Sequence, residues 1–410
     1  MSTPDTSPGD AGTRRIATVD ALRGLALFGI LAVNITYFAS QYRGTGVLDA
    51  RFEGTVDRWT YLLTDALFET KFYLLFSFLF GYSFTLQITA ASRRGAAFTP
   101  RFLRRVLGLF AIGAAHAVFL FHGDILMLYA ALGLLLLPLR HLRPRTAAIL
   151  GAALLVLATE VWFWRGVLVW HTGDPDGTDP VETSDTISYV EAAYQGSFSE
   201  IIAQRLDDVR GMAAILLDFQ GPAALAMFLF GLAAGKLRLL ADPMRYRAGL
   251  RWLLVAGAVV GLPGGVLYAF AGNYYADTAL QYFAGALDFL ASPVLAASYL
   301  AGAVLLFHRL PALARAFAPA GRMALTNYLS QSVFCAFVFT GYGLGLTGEL
   351  APLPVFGIAV ALFAVQLAWS AYWLQAHQYG PAEWALRGFS YLEIPRWRRP
   401  PVWAVPAAPR

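Results

Sequence analysis

An all-helical bundle threaded through a lipid bilayer is the fold class this sequence predicts, and three observations predict it. Of the 410 residues, 58% are hydrophobic. Only 14% are charged, where soluble domains carry roughly 25%. Apolar stretches of about 20 residues, the length a spanning helix requires, recur from Ala21 almost to the C-terminus. A water-soluble fold of this composition has too little polar surface to cover itself. The chain therefore reads as one membrane domain, not the two or three soluble domains its length alone suggests.

The elements follow in order. Residues Met1 to Ala17 are rich in Ser, Thr, Pro, Gly and Asp and read as a disordered cytoplasmic tail. Arg14-Arg15 precede an apolar run without a small-residue cleavage site, so the first helix is expected to stay uncleaved. The predicted spans, about ten, are Ala21 to Ser40, Lys71 to Ala90, Val106 to Phe121, Ile125 to Leu139, Ala147 to Trp164, Met212 to Leu232, Leu253 to Ala271, Ala284 to Phe307, Leu325 to Leu346 and Pro354 to Leu374. With the N-terminus inside, the basic clusters Arg93/Arg94/Arg101/Arg104/Arg105, Arg140/Arg143/Arg145 and Lys236/Arg238/Arg245/Arg247/Arg251 all face the cytoplasm. The opposite orientation inverts that bias. The longest outer loop, from about Gly166 to Arg210, is acidic, with Asp174, Asp176, Asp179, Glu182 and Asp185. An even number of spans returns residues 378–410 to the cytoplasm after a membrane domain of residues 18–377. The expected location is the plasma (inner) membrane, multi-pass, with the bilayer as the first partner.

Several classes are set aside. The lone Cys335 lies in an apolar run, so neither a disulfide framework nor a metal-site spacing is present. The net charge of +5 sits in short loops between apolar runs, which topology explains better than a nucleic-acid partner. Nucleotide-binding and hydrolase signatures are missing from the segments between spans, so any chemistry uses the helices and their short loops. A short internal echo pairs Phe78-Leu79-Phe80-Gly81 with Phe228-Leu229-Phe230-Gly231.

Ionisable groups in hydrocarbon cost several kcal/mol and gather around a bundle interior or a wet cavity. Asn34, Lys71, His116 and Asp124, from the first four spans, share the outer half of the membrane, with Asp65 and Glu69 just before Lys71. Each also has a structural explanation: Asn34 as an interhelical hydrogen bond, Lys71 as a residue snorkelling to the outer headgroups, Asp124 as the cap of the fourth helix. His116 stands out because Gly113, Ala114, Ala115 and Ala117 leave room for another helix or a substrate. Glu160, Asp218 and Asp288 are further candidates, and a partner such as Lys71 would reconcile Asp288 with its depth. At the cytoplasmic end, Asp20 and Arg23 open the first span. Gly321-Arg322-Met323-Ala324-Leu325-Thr326-Asn327-Tyr328 opens the ninth. Asp20 as a cap and Arg23 as a positive-inside anchor are the plain reading. Glycine-bearing helix starts beside arginines also suit a phosphate-bearing cosubstrate.

These motifs resemble a known family. Asp20-Ala-Leu-Arg23-Gly24, Gly29-Ile30-Leu31-Ala32-Val33-Asn34, Lys71-Phe72 with Leu75-Phe76-Ser77-Phe78-Leu79-Phe80-Gly81, and His116 with Gly123-Asp124-Ile125-Leu126 and Tyr129 resemble the YeiB-like bacterial membrane proteins. Asn327-Tyr328-Leu329-Ser330-Gln331-Ser332, Gly341-Tyr342-Gly343-Leu344-Gly345-Leu346 and Gly380-Pro381-Ala382-Glu383-Trp384 are similar to that family's domain of unknown function, numbered 418, placed at about residues 211–400. The family is similar to a wider group of membrane-embedded acyltransferases that includes the lysosomal heparan glucosaminide acetyltransferase, which the part at about 18–145 resembles. The resemblance implies transfer of an acyl group from cytosolic acyl-coenzyme A to a sugar, lipid or small-molecule acceptor at the outer face, without a metal. The lysosomal enzyme's first helix contains Val-Asn, matched by Val33-Asn34. Its histidine follows shortly after, whereas this chain has none between Met1 and Ala115.

The expected roles are His116 as general base deprotonating an acceptor hydroxyl or amine, Asp124 orienting that histidine or the acceptor, and Asn34 and Lys71 stabilising the oxyanion. Arg23 and Arg322 would hold coenzyme phosphates, with Asp20, Glu69, Asn327 and Gln331 completing the binding set. The alternative is a transporter or lipid-handling protein using the same polar chamber, which Gly221-Pro222 and Ser292-Pro293 also suit. A non-catalytic scaffold is the third. Sequence leaves the oligomeric state open.

Overall fold

The computed structural model describes residues 8–47, 49–173 and 184–399. Its helices are α1 (Pro8–Ala39), α2 (Thr55–Leu67), α3 (Lys71–Arg93), α4 (Phe98–Phe119), α5 (Leu126–Leu139), α6 (Pro144–Thr172), α7 (Ser184–Gln195), α8 (Phe198–Ile215), α9 (Gly221–Lys236), α10 (Arg247–Ala256), α11 (Leu262–Tyr274), α12 (Ala279–Arg309), α13 (Pro311–Arg322), α14 (Ala324–Phe339), α15 (Pro352–Ala376) and α16 (Pro381–Tyr391). Eight of the helical stretches are long and apolar enough to cross a bilayer, and two shorter apolar helices, α5 and α14, complete the expected set. The protein is a polytopic helical membrane bundle.

Several boundaries differ from expectation: α4 starts at Phe98 and not Val106, α6 runs on to Thr172 and not Trp164, and α7 and α8 occupy much of the expected outer loop. Helix α1 starts at Pro8, where the missing N–H costs nothing, so only residues 1–7 of the expected tail lie outside the described residues. The ninth span ends at Phe339, not Leu346. Beyond it the chain folds back, and the Leu344, Leu346 and Thr347 amides donate to the Phe337, Val338 and Phe339 carbonyls. That return satisfies the orphan carbonyls of the last helical turn, and Gly345 at φ +64° supplies the left-handed turn it needs. Of the acidic outer loop, Asp174, Asp176, Asp179 and Glu182 lie outside the described residues.

Prolines shape two long helices without breaking them. The π-helical turns Leu216–Gln220 and Gly257–Gly261 immediately precede Pro222 and Pro263. A proline ring clashes with the carbonyl four residues back, and widening the helix by one residue relieves that clash. Pro293 lies inside α12 with no interruption.

Helix α1 is central, with 67% of its apolar window buried, whereas α6 with 22% and α15 with 28% lie at the perimeter. Leu150, Leu157 and Trp164 on α6 and Val365, Trp369 and Tyr372 on α15 are exposed, as a lipid-facing surface requires. The echoed Phe-Leu-Phe-Gly segments turn out to be one crossing. A Cβ on Gly81 would collide with the Phe228 carbonyl, and one on Gly231 with the Phe78 carbonyl. The two glycines let α3 and α9 approach backbone to backbone, while Phe80 stacks on Phe228 at 4.6 Å.

Candidate functional site

A buried hydrogen-bonded chain links α4, the turn before α5, and α14. His116, near the end of α4, presents Nδ1 to Asp124 Oδ1 at 2.8 Å and Nε2 to Ser332 Oγ at 2.8 Å. Relative exposures are 2% for His116, 2% for Asp124 and 3% for Ser332. With its proton on Nδ1 the imidazole donates to Asp124, and Nε2 faces Ser332 Oγ, whose hydroxyl also lies 3.4 Å from the Tyr328 carbonyl. Base, orienting carboxylate and hydroxyl thus stand in the order of an activated nucleophile.

Local sequence explains how the three meet. Asp124 both caps and orients, because its Oδ2 accepts the Met127 amide at 2.8 Å while Oδ1 holds His116. Gly113 makes that possible. A Cβ there would come within 2.7 Å of Asp124 Oδ2 and 2.8 Å of the Met127 nitrogen. The room expected beside His116 is therefore filled by the start of α5. On α14, Tyr328 and Ser332 are one turn apart and face His116, with the Tyr328 ring 4.9 Å from the imidazole. Asn327 and Gln331 occupy the neighbouring face and tie it to α15. Asn327 Nδ2 donates to Ser370 Oγ at 2.9 Å, Gln331 Nε2 to Gln366 Oε1 at 2.8 Å, and Gln366 Nε2 to Ser330 Oγ at 2.9 Å. Those amides fix the rotation of α14 that aims Ser332.

At its other end α14 is capped in trans. Glu383, on α16, accepts from the Leu325 amide at 2.7 Å, the Thr326 amide at 3.1 Å and the Thr326 hydroxyl at 2.6 Å. A carboxylate suits a helix N-terminus. Burial pushes the Glu383 carboxyl up, partly opposed by the Thr326 bonds.

Lys71 belongs to a different centre. It is fully buried, with Nζ 3.6 Å from Asp288 Oδ1, so it does not snorkel. Ser292 donates to the same Asp288 oxygen and shares a 2.7 Å bond with Thr70. Beside this pair, Arg43 forms an ion pair with Asp65, and Asn273 Nδ2 donates to Asp65 Oδ2 at 2.6 Å. Glu69 accepts from the Tyr37 hydroxyl at 2.9 Å. The expected Lys71–Asp288 pairing is therefore present. Among the described residues, no hydrogen bond or ion pair joins Lys71 or Glu69 to His116, Asp124 or Ser332.

Asn34 is half-buried on α1, one turn before both Tyr37, which reaches Glu69, and Phe38, which stacks 4.6 Å from Phe121 beside His116. It lies on the helix face between the two centres. Asp20 pairs with Arg23 at 2.9 Å, and Arg23 also donates to Ser83. Arg322 is exposed and donates to the Gln378 carbonyl at 3.3 Å. Glu160 is exposed, and Asp218 pairs with Arg165 at 2.9 Å at the surface.

Ser332 closes the Asn327–Ser332 motif, and the sequence alone assigns it no role. The signal was the spacing Tyr328 to Ser332, offset by one residue from Asn327 to Gln331. Arg43, the ion-pair partner of Asp65, carried no comparable signal, since its target lies on another helix.

Comparison with known proteins places this geometry in context. A family model described as protein of unknown function (DUF418) matches residues 234–393. The chain is 34% identical over 397 residues to the "Uncharacterized protein YxaH" of Bacillus subtilis (strain 168), covering 92% of this chain and 94% of that protein. It is 28% identical over 391 residues to the "Uncharacterized protein YeiB" of Escherichia coli (strain K12), covering 91% and 95%. No solved structure matches.

Proposed function

The chain belongs to the YeiB-like family of bacterial membrane proteins carrying the DUF418 region, and on that premise we propose that it is a membrane-embedded acyltransferase acting through Ser332. The observation that carries the reading is the Ser332–His116–Asp124 chain, with both hydrogen bonds at 2.8 Å. The protein resides in the plasma (inner) membrane with both termini in the cytoplasm. Acyl-coenzyme A is the donor, and the acceptor is a sugar, lipid or small-molecule hydroxyl or amine at the outer face.

The step proceeds by double displacement. Ser332 Oγ gives its proton to His116 Nε2 and attacks the thioester carbonyl. The C–S bond breaks, and the leaving thiolate takes the proton from His116, leaving an acyl ester on Ser332. The acceptor then gives its proton to His116 and attacks the ester. The transferred acyl group departs on the acceptor, and Ser332 Oγ recovers the proton. Asp124 holds the imidazole in the required tautomer throughout. Asn34 is assigned to the acyl carbonyl. Lys71 is left out of the reaction, because Asp288 already engages its ammonium.

The test uses purified full-length protein with acetyl-coenzyme A. Thiol release and an acetyl mark on the Ser332 peptide are expected, and Ser332→Ala should lower the transfer rate by at least about 10⁴-fold. A Ser332→Ala protein that transfers at the wild-type rate sinks the proposal. Proton-coupled solute uptake into protein-containing liposomes without any acyl donor would instead favour the transporter reading.

A further inference from the structure

The two cytoplasmic basic clusters, distant in sequence, meet around one hollow. The cavity of about 380 Å³ lies between the end of α3, the start of α4, the α15–α16 turn, α16 and the chain after it. That volume falls within the roughly 300–1,000 Å³ range of small-molecule sites. Arg94, Arg101, Arg387 and Arg396 line it, against a single carboxylate, Glu393. None of the four arginines has an ion-pair partner among the described residues.

The walls are built and fixed. Arg101 lies over the Tyr391 ring at 5.0 Å, and Arg387 over Tyr379 at 5.0 Å and Tyr391 at 4.7 Å. Cation–π contact orients a guanidinium without neutralising it, so the N–H edges stay available. The chain after α16 is held by Trp384 Nε1 donating to the Pro395 carbonyl at 2.8 Å and by the Arg399 amide donating to Ala376 at 2.9 Å. One turn deeper on α4, the buried Arg105 Nε has no hydrogen-bond partner, and Arg105 lies within electrostatic reach of Arg387 and Arg23. Topological anchoring explains arginines that spread toward headgroups. It does not explain four that line one half-open hollow.

We infer that this cavity is a binding site for a phosphate or diphosphate ester approaching from the cytoplasmic side. Guanidinium forks match phosphate oxygens bidentately. Two sources present that chemistry: a soluble phosphate ester and an anionic phospholipid headgroup. The inference does not rest on the acyl-transfer reading, because the ligand is recognised by its phosphates alone; the diphosphate of coenzyme A is one soluble ester that carries the same chemistry.

The experiment titrates inorganic pyrophosphate into full-length protein in phosphatidylcholine nanodiscs. Saturable binding is expected, weakened at least about tenfold in Arg101→Gln/Arg387→Gln. Arg101→Lys/Arg387→Lys, which keeps the charge and loses the fork, should fall between, so a folding defect common to both pairs is distinguishable from loss of charge. Arg210→Gln, on an exposed outer-side arginine paired with Asp207, should bind as wild type. Repeating the titration in phosphatidylglycerol nanodiscs separates the sources: competition assigns the headgroup, and its absence assigns the soluble ester. No binding by wild type, or undiminished binding by the Gln pair, overturns the inference. No acyl donor is used, so either outcome leaves the Ser332 relay to its own test.

Discussion

The bundle holds two buried polar centres solved in opposite ways. Around Lys71, positive and negative groups alternate: Lys71 with Asp288, Arg43 with Asp65, and the neutral Asn273 and Ser292 filling remaining bonds. Around His116 there is one carboxylate, an imidazole and a hydroxyl in a line. The first arrangement pairs opposite charges and holds five segments together: the turn after α1, α2, α3, α11 and α12. The second lines up a hydroxyl, an imidazole and a carboxylate in one hydrogen-bonded row, the arrangement on which the proposed transfer rests. Depth in the membrane therefore does not by itself tell the two apart; what separates them is whether opposite charges pair or a hydroxyl, an imidazole and a carboxylate stand in a row.

The sharpest way to break the contrast is at Lys71. Lys71→Met leaves Asp288 buried without its counter-charge and should cost about 3–5 kcal/mol of stability, read by denaturant unfolding in detergent. Lys71→Met with Asp288→Leu should recover most of it, since removing both charges also removes the stranded one. A single variant as stable as wild type would mean that the pair is not a clamp. A smaller effect is expected at Asn34, which lies between the centres. Asn34→Ala should lower acyl transfer about 10²–10³-fold, as loss of one oxyanion donor does, with little change in unfolding. If stability falls instead and the rate holds, Asn34 belongs with the structural centre. The smallest effect concerns aim. Gln366→Leu removes the amide that holds Gln331 and Ser330 and should cost about 1 kcal/mol, lowering the transfer rate by loosening the rotation of α14. Restoration by Gln366→Glu at low pH, where the protonated acid can donate, would tie the loss to orientation.

Particular residues show what could be read in advance. The ten apolar helices were legible because hydrophobic length is a local property. The end of the ninth was misplaced because Gly341 to Leu346 is apolar enough to span, yet its amides turn back onto the last carbonyls of α14. His116 and Asp124 were legible as a pair, being eight residues apart across one tight turn. Ser332 was not, since 216 residues separate it from His116. Lys71 was grouped with the wrong partners by depth alone, although its pairing with Asp288 was anticipated. Depth gives one coordinate, and a contact requires three.

By itself, then, the sequence determined that hydrocarbon surrounds the chain, where its helices lie and which scarce polar residues must be accounted for, because the cost of an unpaired charge or amide in lipid acts on each segment separately. Tertiary structure alone decided which of those residues meet. The rotation of α14 set by Gln331 and Gln366, the approach of α5 allowed by Gly113, and the convergence of Arg101 with Arg387 all depend on how one helix is turned against another, a quantity that no single segment encodes.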